Sequence, residues 1–294
     1  MPGEMMGVLR PSLYRFRLGR FEITNVLDGV TRRDGLHPTF GADQPAAAVE
    51  RLALANRLPP NQFEHGYTPT LVNTGRELVL FDTGNGAPRR GAGLGMLRAR
   101  LEEAGYAPDD IDAVVITHCH PDHIGGLLED GAPAFPNARY VFGAVEFDFW
   151  RRGEQVREAR KPTRELFLQV ALPLAERATF VAPGQEVVPG IVAVEAFGHA
   201  PGMLAWHIES EGQRLLLWAD TVNHYVASLQ RPEWHVGVDD DKDQAAATRR
   251  RLLDMVRAEG LWAIGYHMPF PAVGWVEKTG EGYRWVPLSY QLVI

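Results

Sequence analysis

The chain predicts a mixed α/β (α+β) fold, read as one domain over residues 1–294 with two pseudo-repeated halves, about 1–180 and 181–294. Three observations carry this. Short apolar, β-branched runs alternate with helix-period stretches in both halves. Several of those runs end in a His or Asp followed by a loop. No low-complexity stretch separates the halves. With 294 residues, 45% of them hydrophobic, the chain has enough apolar surface for one large core or two small ones.

In order, residues 13–17 and 21–26 read as strands joined at Gly19-Arg20, with Asp28-Gly29 as a turn signal after them. Residues 44–57 are rich in Ala and Leu and read as a helix stopped by Pro59-Pro60. Residues 67–73 and 77–81 form a hairpin-like pair around Thr74-Gly75, the second ending in Asp82-Thr83-Gly84. Residues 94–104 read as a helix whose Leu94, Leu97 and Leu101 share a face, with Gly95 weakening its first turn. Residues 113–117 are a buried strand. A strand at 139–142 and helices at 144–152 and 163–172 follow, and Pro173 ends the last. A fresh start is read at 180–188. Strands at 191–196, 204–208 and 215–218 come next, then a helix at 243–258, a strand at 261–264 and two closing strands at 273–277 and 283–286.

The most informative stretch is Thr117-His118-Cys119-His120-Pro121-Asp122-His123, followed by Ile124-Gly125-Gly126. His118 and His120 are two apart and project to one side of extended backbone. Pro121 bends the chain, so Asp122 and His123 approach from another direction. Neutral imidazoles with a carboxylate suit Zn, Mn, Co or Fe(II). Cys119 alternates with the histidines and reads as a small buried hydrophobe. His199, Asp220 and His267 each sit just beyond another apolar strand, and strand ends on one sheet edge can converge. Seven such side chains can hold two ions: His118, His120 and His199 on one, Asp122, His123 and His267 on the other, with Asp220 bridging. Asp82, also past a strand, either orients a ligand histidine or caps a turn.

Composition narrows the partners. The net charge is −7 and the pI about 5.8. Neither suits a nucleic-acid binder, which carries a basic face. The clusters Arg151-Arg152 and Arg249-Arg250-Arg251 read as solvated helix faces. One cysteine excludes an internal disulfide framework. Residues 1–6 show no signal-peptide pattern, and no stretch reads as membrane-spanning. A cytoplasmic protein acting on a small molecule is expected, without nucleic acid or membrane, and a homodimer is compatible with the sequence.

With these residues in view, the sequence resembles the metallo-β-lactamase superfamily, and within it the methyl parathion hydrolase and quorum-quenching lactonase group. The segments Phe81-Asp82-Thr83-Gly84, Thr117 to Gly126, Asp148-Phe149-Trp150, Val188-Pro189-Gly190-Ile191, Gly198-His199-Ala200-Pro201-Gly202 and Gly282 to Pro287 carry the resemblance. It implies a four-layer αββα sandwich with the metals at one edge of the packed sheets. Ala200 and Met203 stand where the family often has Thr and a second His; neither place is a metal ligand in the family pattern. Arg89-Arg90 stand where the hydrolase has an aromatic near its leaving-group pocket. This ranks carboxylic esters and lactones above phosphotriesters.

The expected activity is hydrolysis of small esters or lactones by a hydroxide bridging two divalent ions, with zinc foremost. Asp220 would fix the pair. Asp122, Tyr225, His224 or a metal-bound water would pass a proton to the leaving group. Trp150, Phe167, His224, Tyr225 and Phe270 are the substrate-pocket candidates, with Phe147 and Trp234 as further aromatics near an entrance. The alternative is a redox protein on the same fold, such as a mononuclear iron dioxygenase. Diiron members carry Glu at the position of His120 and append a flavin domain.

Overall fold

The structure is a computed structural model describing residues 3–294. The first half builds a seven-stranded sheet. β1 (Leu13–Leu18) and β2 (Phe21–Val26) form a hairpin. A separate ribbon pairs β3 (Gly29–Arg33) with β4 (Phe63–Tyr67), and α1 (Ala46–Ala55) lies between them in sequence. Next come β5 (Thr70–Asn73), β6 (Leu78–Phe81), α2 (Leu97–Glu103), β7 (Ala113–Ile116) and α3 (Pro121–Ile124). A two-residue ribbon, β8 (Leu128–Glu129) with β9 (Ala132–Pro133), precedes β10 (Arg139–Gly143), α4 (Ala144–Arg152), α5 (Lys161–Val170) and β11 (Ala178–Val181). The sheet order is β1-β2-β5-β6-β7-β10-β11, antiparallel up to β6 and parallel from β6 to β11.

The second half builds another seven-stranded sheet in chain order: β12 (Glu186–Val188), β13 (Ile191–Glu195), β14 (Leu204–Ser210), β15 (Gln213–Leu217), β16 (Trp262–Ile264), β17 (Val273–Thr279) and β18 (Gly282–Pro287). Its one parallel pair is β15 with β16, connected through α6 (Ala227–Gln230) and α7 (Lys242–Glu259).

The central strands are apolar on both faces because both faces are covered. Val79, Phe81 and Val115 meet Trp206 and Leu217 between the sheets. Their neighbours Leu80, Val114 and Ile116 point the other way, onto Leu97, Phe147 and Phe167 of α2, α4 and α5. Leu252, Leu253 and Val256 of α7 pack with the second sheet. The result is the four-layer αββα arrangement. No helix among the described residues is long and apolar enough to cross a membrane.

Three differences from the sequence reading have a local cause. Helix α2 starts at Leu97, not 94, because Gly95 takes a left-handed φ of 68° and the buried Asp28 carboxylate accepts the N–H groups of Gly95 and Leu97. Leu94 packs instead with Tyr67 and Tyr266. Residues 67–73 are split at Pro69, so Tyr67 belongs to the β4 ribbon. Phe180 lies in β11, the last strand of the first sheet, and the second sheet begins at Glu186.

Candidate metal centre

Each ligand-type residue lies just past the C-terminal end of a strand: Asp82 after β6, His118 and His120 after β7, His199 after β13, Asp220 after β15 and His267 after β16. Asp122 and His123 sit on α3, whose first turn Pro121 initiates. The two sheets bring these ends together. His118, His120 and His199 offer ligand atoms within 4.8 Å of one another, and Asp122, His123, Asp220 and His267 do the same. Asp220 links the groups: its Oδ2 lies 3.0 Å from His267 Nε2 and 3.3 Å from His199 Nε2, and its Oδ1 lies 3.3 Å from His123 Nε2.

The ring nitrogens facing away are held by oxygens. His118 Nδ1 meets Thr117 Oγ1 at 3.1 Å, and His123 Nδ1 meets Asp82 Oδ2 at 2.8 Å. His199 Nδ1 meets Asp239 Oδ1 at 2.8 Å, and His267 Nδ1 meets the Gly66 carbonyl at 2.8 Å. This arrangement fixes ring orientation and turns the opposite nitrogen inward; His199 Nε2 there lies 2.9 Å from His120 Nδ1, and His267 Nε2 lies 3.0 Å from Asp220 Oδ2. Accordingly, His118 Nε2, His123 Nε2 and Asp220 Oδ1 are buried without a hydrogen-bond partner. Buried polar atoms are rarely left so, and three converging orphans fit a cation.

The electrostatics agree. Burial pulls His118 well below the ordinary histidine range, with neighbouring imidazoles adding to it. Burial also takes His120 to about 4 against the pull of Asp240. Burial opposes charge on His123 too, but Asp82, Asp220 and Asp122 outweigh it and push the ring well up. Burial works against the Asp220 carboxylate, yet His267, His123 and His199 hold it well below the carboxylate range. The group of Asp122, His123, Asp220 and His267 is thus a negative pocket calling for positive charge.

Several positioning residues were not singled out in the sequence. Glu146, buried in α4, accepts from Cys119 N at 2.9 Å, Trp150 Nε1 at 2.7 Å and Gly202 N at 2.8 Å. It thereby ties the His118–His120 loop of one half to the His199 loop of the other. A Cβ at Gly202 would stand 2.2 Å from Glu146 N, so only glycine permits this approach. Arg249 is 0% exposed, which corrects its reading as part of a solvated face; Arg250 and Arg251 do lie toward solvent. Its guanidinium donates to Asp239 Oδ2 at 2.9 Å and to the carbonyls of Thr221, Pro232 and Trp234. Asp239 in turn holds His199. Tyr266 lies over the His123 ring at 3.9 Å and donates to the Asp122 carbonyl.

A cavity of about 550 Å³ opens against His267, lined by Leu27, Leu36, Phe63, His65, Tyr225 and Phe270, with His224 also in its wall. Of the five pocket candidates, His224, Tyr225 and Phe270 fall here. Trp150 and Phe167 do not: both are 0% exposed in the core between the first sheet and its helices, and Trp150 is fixed to Glu146. Phe147 is in the same core, and Trp234 packs with Phe40 and Val49. Arg90 also lies away from the cavity, paired with Glu129 at 2.6 and 2.9 Å. His65, missed in the sequence, lies on His267 with ring centroids 3.8 Å apart. Its signal was there: Phe63, His65 and Tyr67 alternate along one face of β4. A larger hollow of about 890 Å³ outside α4, against Val145 and Phe180, touches none of the seven clustered residues.

The sequence profile described as the metallo-beta-lactamase superfamily matches residues 66–267. The chain belongs to this superfamily. An N-acyl homoserine lactonase from Bacillus cereus is 26% identical over 159 residues, 54% of this chain and 56% of the lactonase. A Ribonuclease Z from Nocardia farcinica is 31% identical over 156 residues, 50% of this chain and 46% of the relative. The chain thus spans about half the length of the curated relatives it matches. Among solved structures, the hydrolase AbOPH of the beta lactamase superfamily superposes with a TM-score of 0.88 at 26% identity, covering 97% of this chain and 100% of that one. The dizinc quorum-quenching lactonase AidC gives the same TM-score at 24% identity over 95% of this chain and 98% of its own, a likeness of fold.

Proposed function

We propose that this chain is a metal-dependent hydrolase that opens lactones or cleaves small carboxylic esters, and that it holds two divalent ions, zinc foremost. The observation that carries the reading is the pair of buried donor groups beside an apolar cavity. The imidazole and carboxylate set suits zinc and accepts Mn, Co or Fe(II). His118, His120 and His199 would hold one ion, Asp122, His123 and His267 the other, and Asp220 both. When bound, such ions bring the pKa of water toward neutrality and polarise a carbonyl oxygen.

The chain's own residues supply the rest. Asp82, Asp239 and the Gly66 carbonyl fix the histidine rings that the donor geometry needs. Asp122 is the proton carrier to the leaving group in this reading. Its side chain is 22% exposed where that of Asp220 is 4%, so it faces both the donors and solvent. Leu27, Leu36, Phe63 and Phe270 suit an apolar acyl or alkyl tail. The relative from B. cereus supports a lactone. The ends of both sheets contribute donors, which supports reading the chain as one domain whose two halves meet between β11 and β12.

The test is kcat/KM for zinc-, manganese- and cobalt-loaded protein against aryl esters, an acyl-homoserine lactone, a plain γ-lactone, a phosphotriester, a cephalosporin and a pre-tRNA. Phosphotriesters belong in the panel because Arg89 and Arg90 do not line the cavity. Lactones or carboxylic esters should lead. A cephalosporin or RNA preferred tenfold, about 1.4 kcal/mol of transition-state binding, would defeat the reading.

A further inference from the structure

His224 lies four residues past Asp220 and is 4% exposed. Its ring packs against Phe40 at 4.9 Å and Phe63 at 6.1 Å between centroids, and stacks on Tyr225 at 4.8 Å and 18°. Nδ1 accepts the N–H groups of Val226 and Ala227, each at 3.1 Å. These are free donors at the start of α6, which the imidazole caps. A nitrogen that accepts two N–H groups carries no proton, so the ring proton sits on Nε2. Among the described residues Nε2 has no protein acceptor, and it is not one of the sealed, partnerless atoms. Burial takes the ring down to about 3, which keeps it neutral.

The ring borders the cavity that ends against His267, where its neighbours Leu36, Phe63, Tyr225 and Phe270 are mainly apolar. The charged lining residues Arg10, Arg32 and Glu64 are exposed and pair with one another. Two rings separate His224 from His267: Phe63 lies 5.8 Å from His65, and His65 lies 3.8 Å from His267. The ring in this wall is therefore an uncharged imidazole of fixed tautomer with an unpaired Nε2–H, set back from the clustered ligands.

We propose that His224 is a binding residue for a second hydrogen-bond acceptor of the substrate, an amide or ester carbonyl several bonds from the one that reacts and carried on an apolar tail. This rests on the reading of the site as a lactone or ester hydrolase. A substrate with that acceptor pairs the Nε2–H; one without it leaves a donor desolvated and unpaired. A site built to hydrogen-bond a group discriminates against the analogue lacking it.

The test uses two γ-lactones with tails of equal length, one joined through an amide and one through methylenes. The readout is the ratio of their kcat/KM values in wild type and in His224→Phe. Damage common to both substrates cancels in the ratio. Loss of one neutral hydrogen bond should lower the wild-type preference for the amide lactone by about threefold to tenfold. A ratio unchanged within twofold would overturn the proposal while leaving the lactonase reading intact. Wild-type protein that hydrolyses neither lactone would overturn the proposal, and if it also cleaved no aryl ester the lactone-or-ester reading would fall with it. Should His224→Phe not fold, nitrogen-15 NMR of wild type decides. His224 should show the Nε2–H tautomer, and its signals should move on adding a γ-lactam bearing the amide tail but not the methylene tail. An Nδ1–H tautomer, or equal shifts with both lactams, would overturn the proposal.

Discussion

Replacing Arg249 with methionine tests how the second half holds His199. The guanidinium is fully buried and makes four hydrogen bonds, one to Asp239 Oδ2 at 2.9 Å and three to backbone carbonyls. Methionine fills much of the space, so the cavity cost is small. What remains is a buried carboxylate stripped of its cation. Breaking a buried pair from one side costs about 3–5 kcal/mol, a large share of the roughly 5–15 kcal/mol that holds a domain together. The damage also reaches the site, because Asp239 Oδ1 is the partner of His199 Nδ1. Losing the anchor of a ligand-orienting group lowers metal affinity by about 10–100-fold. Urea unfolding of metal-free protein gives the first quantity, and chelator competition gives the second. Adding Asp239→Asn removes the stranded charge, so Asp239→Asn/Arg249→Met should recover about 2 kcal/mol over the sum of the single losses. Single-variant stability within 0.5 kcal/mol of wild type, or strictly additive losses, would refute the reasoning.

Three further predictions follow from the same geometry. Asp220→Asn removes the charge shared by both donor groups; activity should fall at least a hundredfold and one ion should bind weakly, while circular dichroism stays native. Full metal occupancy with near wild-type turnover would contradict the linking role. Glu146→Gln turns an amide NH₂ toward one of three buried N–H donors and should cost about 2 kcal/mol. Competition with a chelator should show the ion assigned to His118, His120 and His199 released first; a fall in Tm with both affinities unchanged would mean Glu146 supports only the fold. The acid side of the stability curve carries His224. Its folded pKa of about 3 lies below the ordinary 6.5, so below about pH 6.5 the unfolded chain takes up a proton that the folded chain refuses. The His224 contribution is therefore complete above pH 6.5 and is lost as pH falls toward 3, by up to about 1.4 kcal/mol per pH unit. Metal-free His224→Phe should lose stability less steeply than wild type between pH 6 and pH 4, and coincident slopes would contradict this.

The clustered residues were legible because each follows an apolar strand, and four of them occur within six positions. Chemistry concentrated at strand ends survives uncertainty about helix boundaries. What holds those residues was harder to read. Asp239 opens the run Asp239-Asp240-Asp241, and Arg249 opens Arg249-Arg250-Arg251. Runs of like charge suggest solvent, yet the first member of each is buried. Helix period held a clue, since Ala245, Arg249, Leu252, Leu253 and Val256 share the buried face of α7. Their pairing is long-range in space and left no local pattern. Trp150 and Phe167 show the converse: an aromatic in an amphipathic helix gives no sign of whether it faces core or cavity. Leu94 fell outside α2 because Gly95 is left-handed and a carboxylate 69 positions before Leu97 accepts the first N–H of that helix.

The account rests on seven side chains acting as one two-ion site. Isothermal titration of metal-free protein with zinc, followed by elemental analysis, tests this most directly. It predicts two zinc ions per chain in wild type, one in His199→Ala with the ion at Asp122, His123 and His267 retained, and lactone hydrolysis that rises only as the second ion fills. Saturation at one ion per chain, with full lactone turnover at that point, would contradict it.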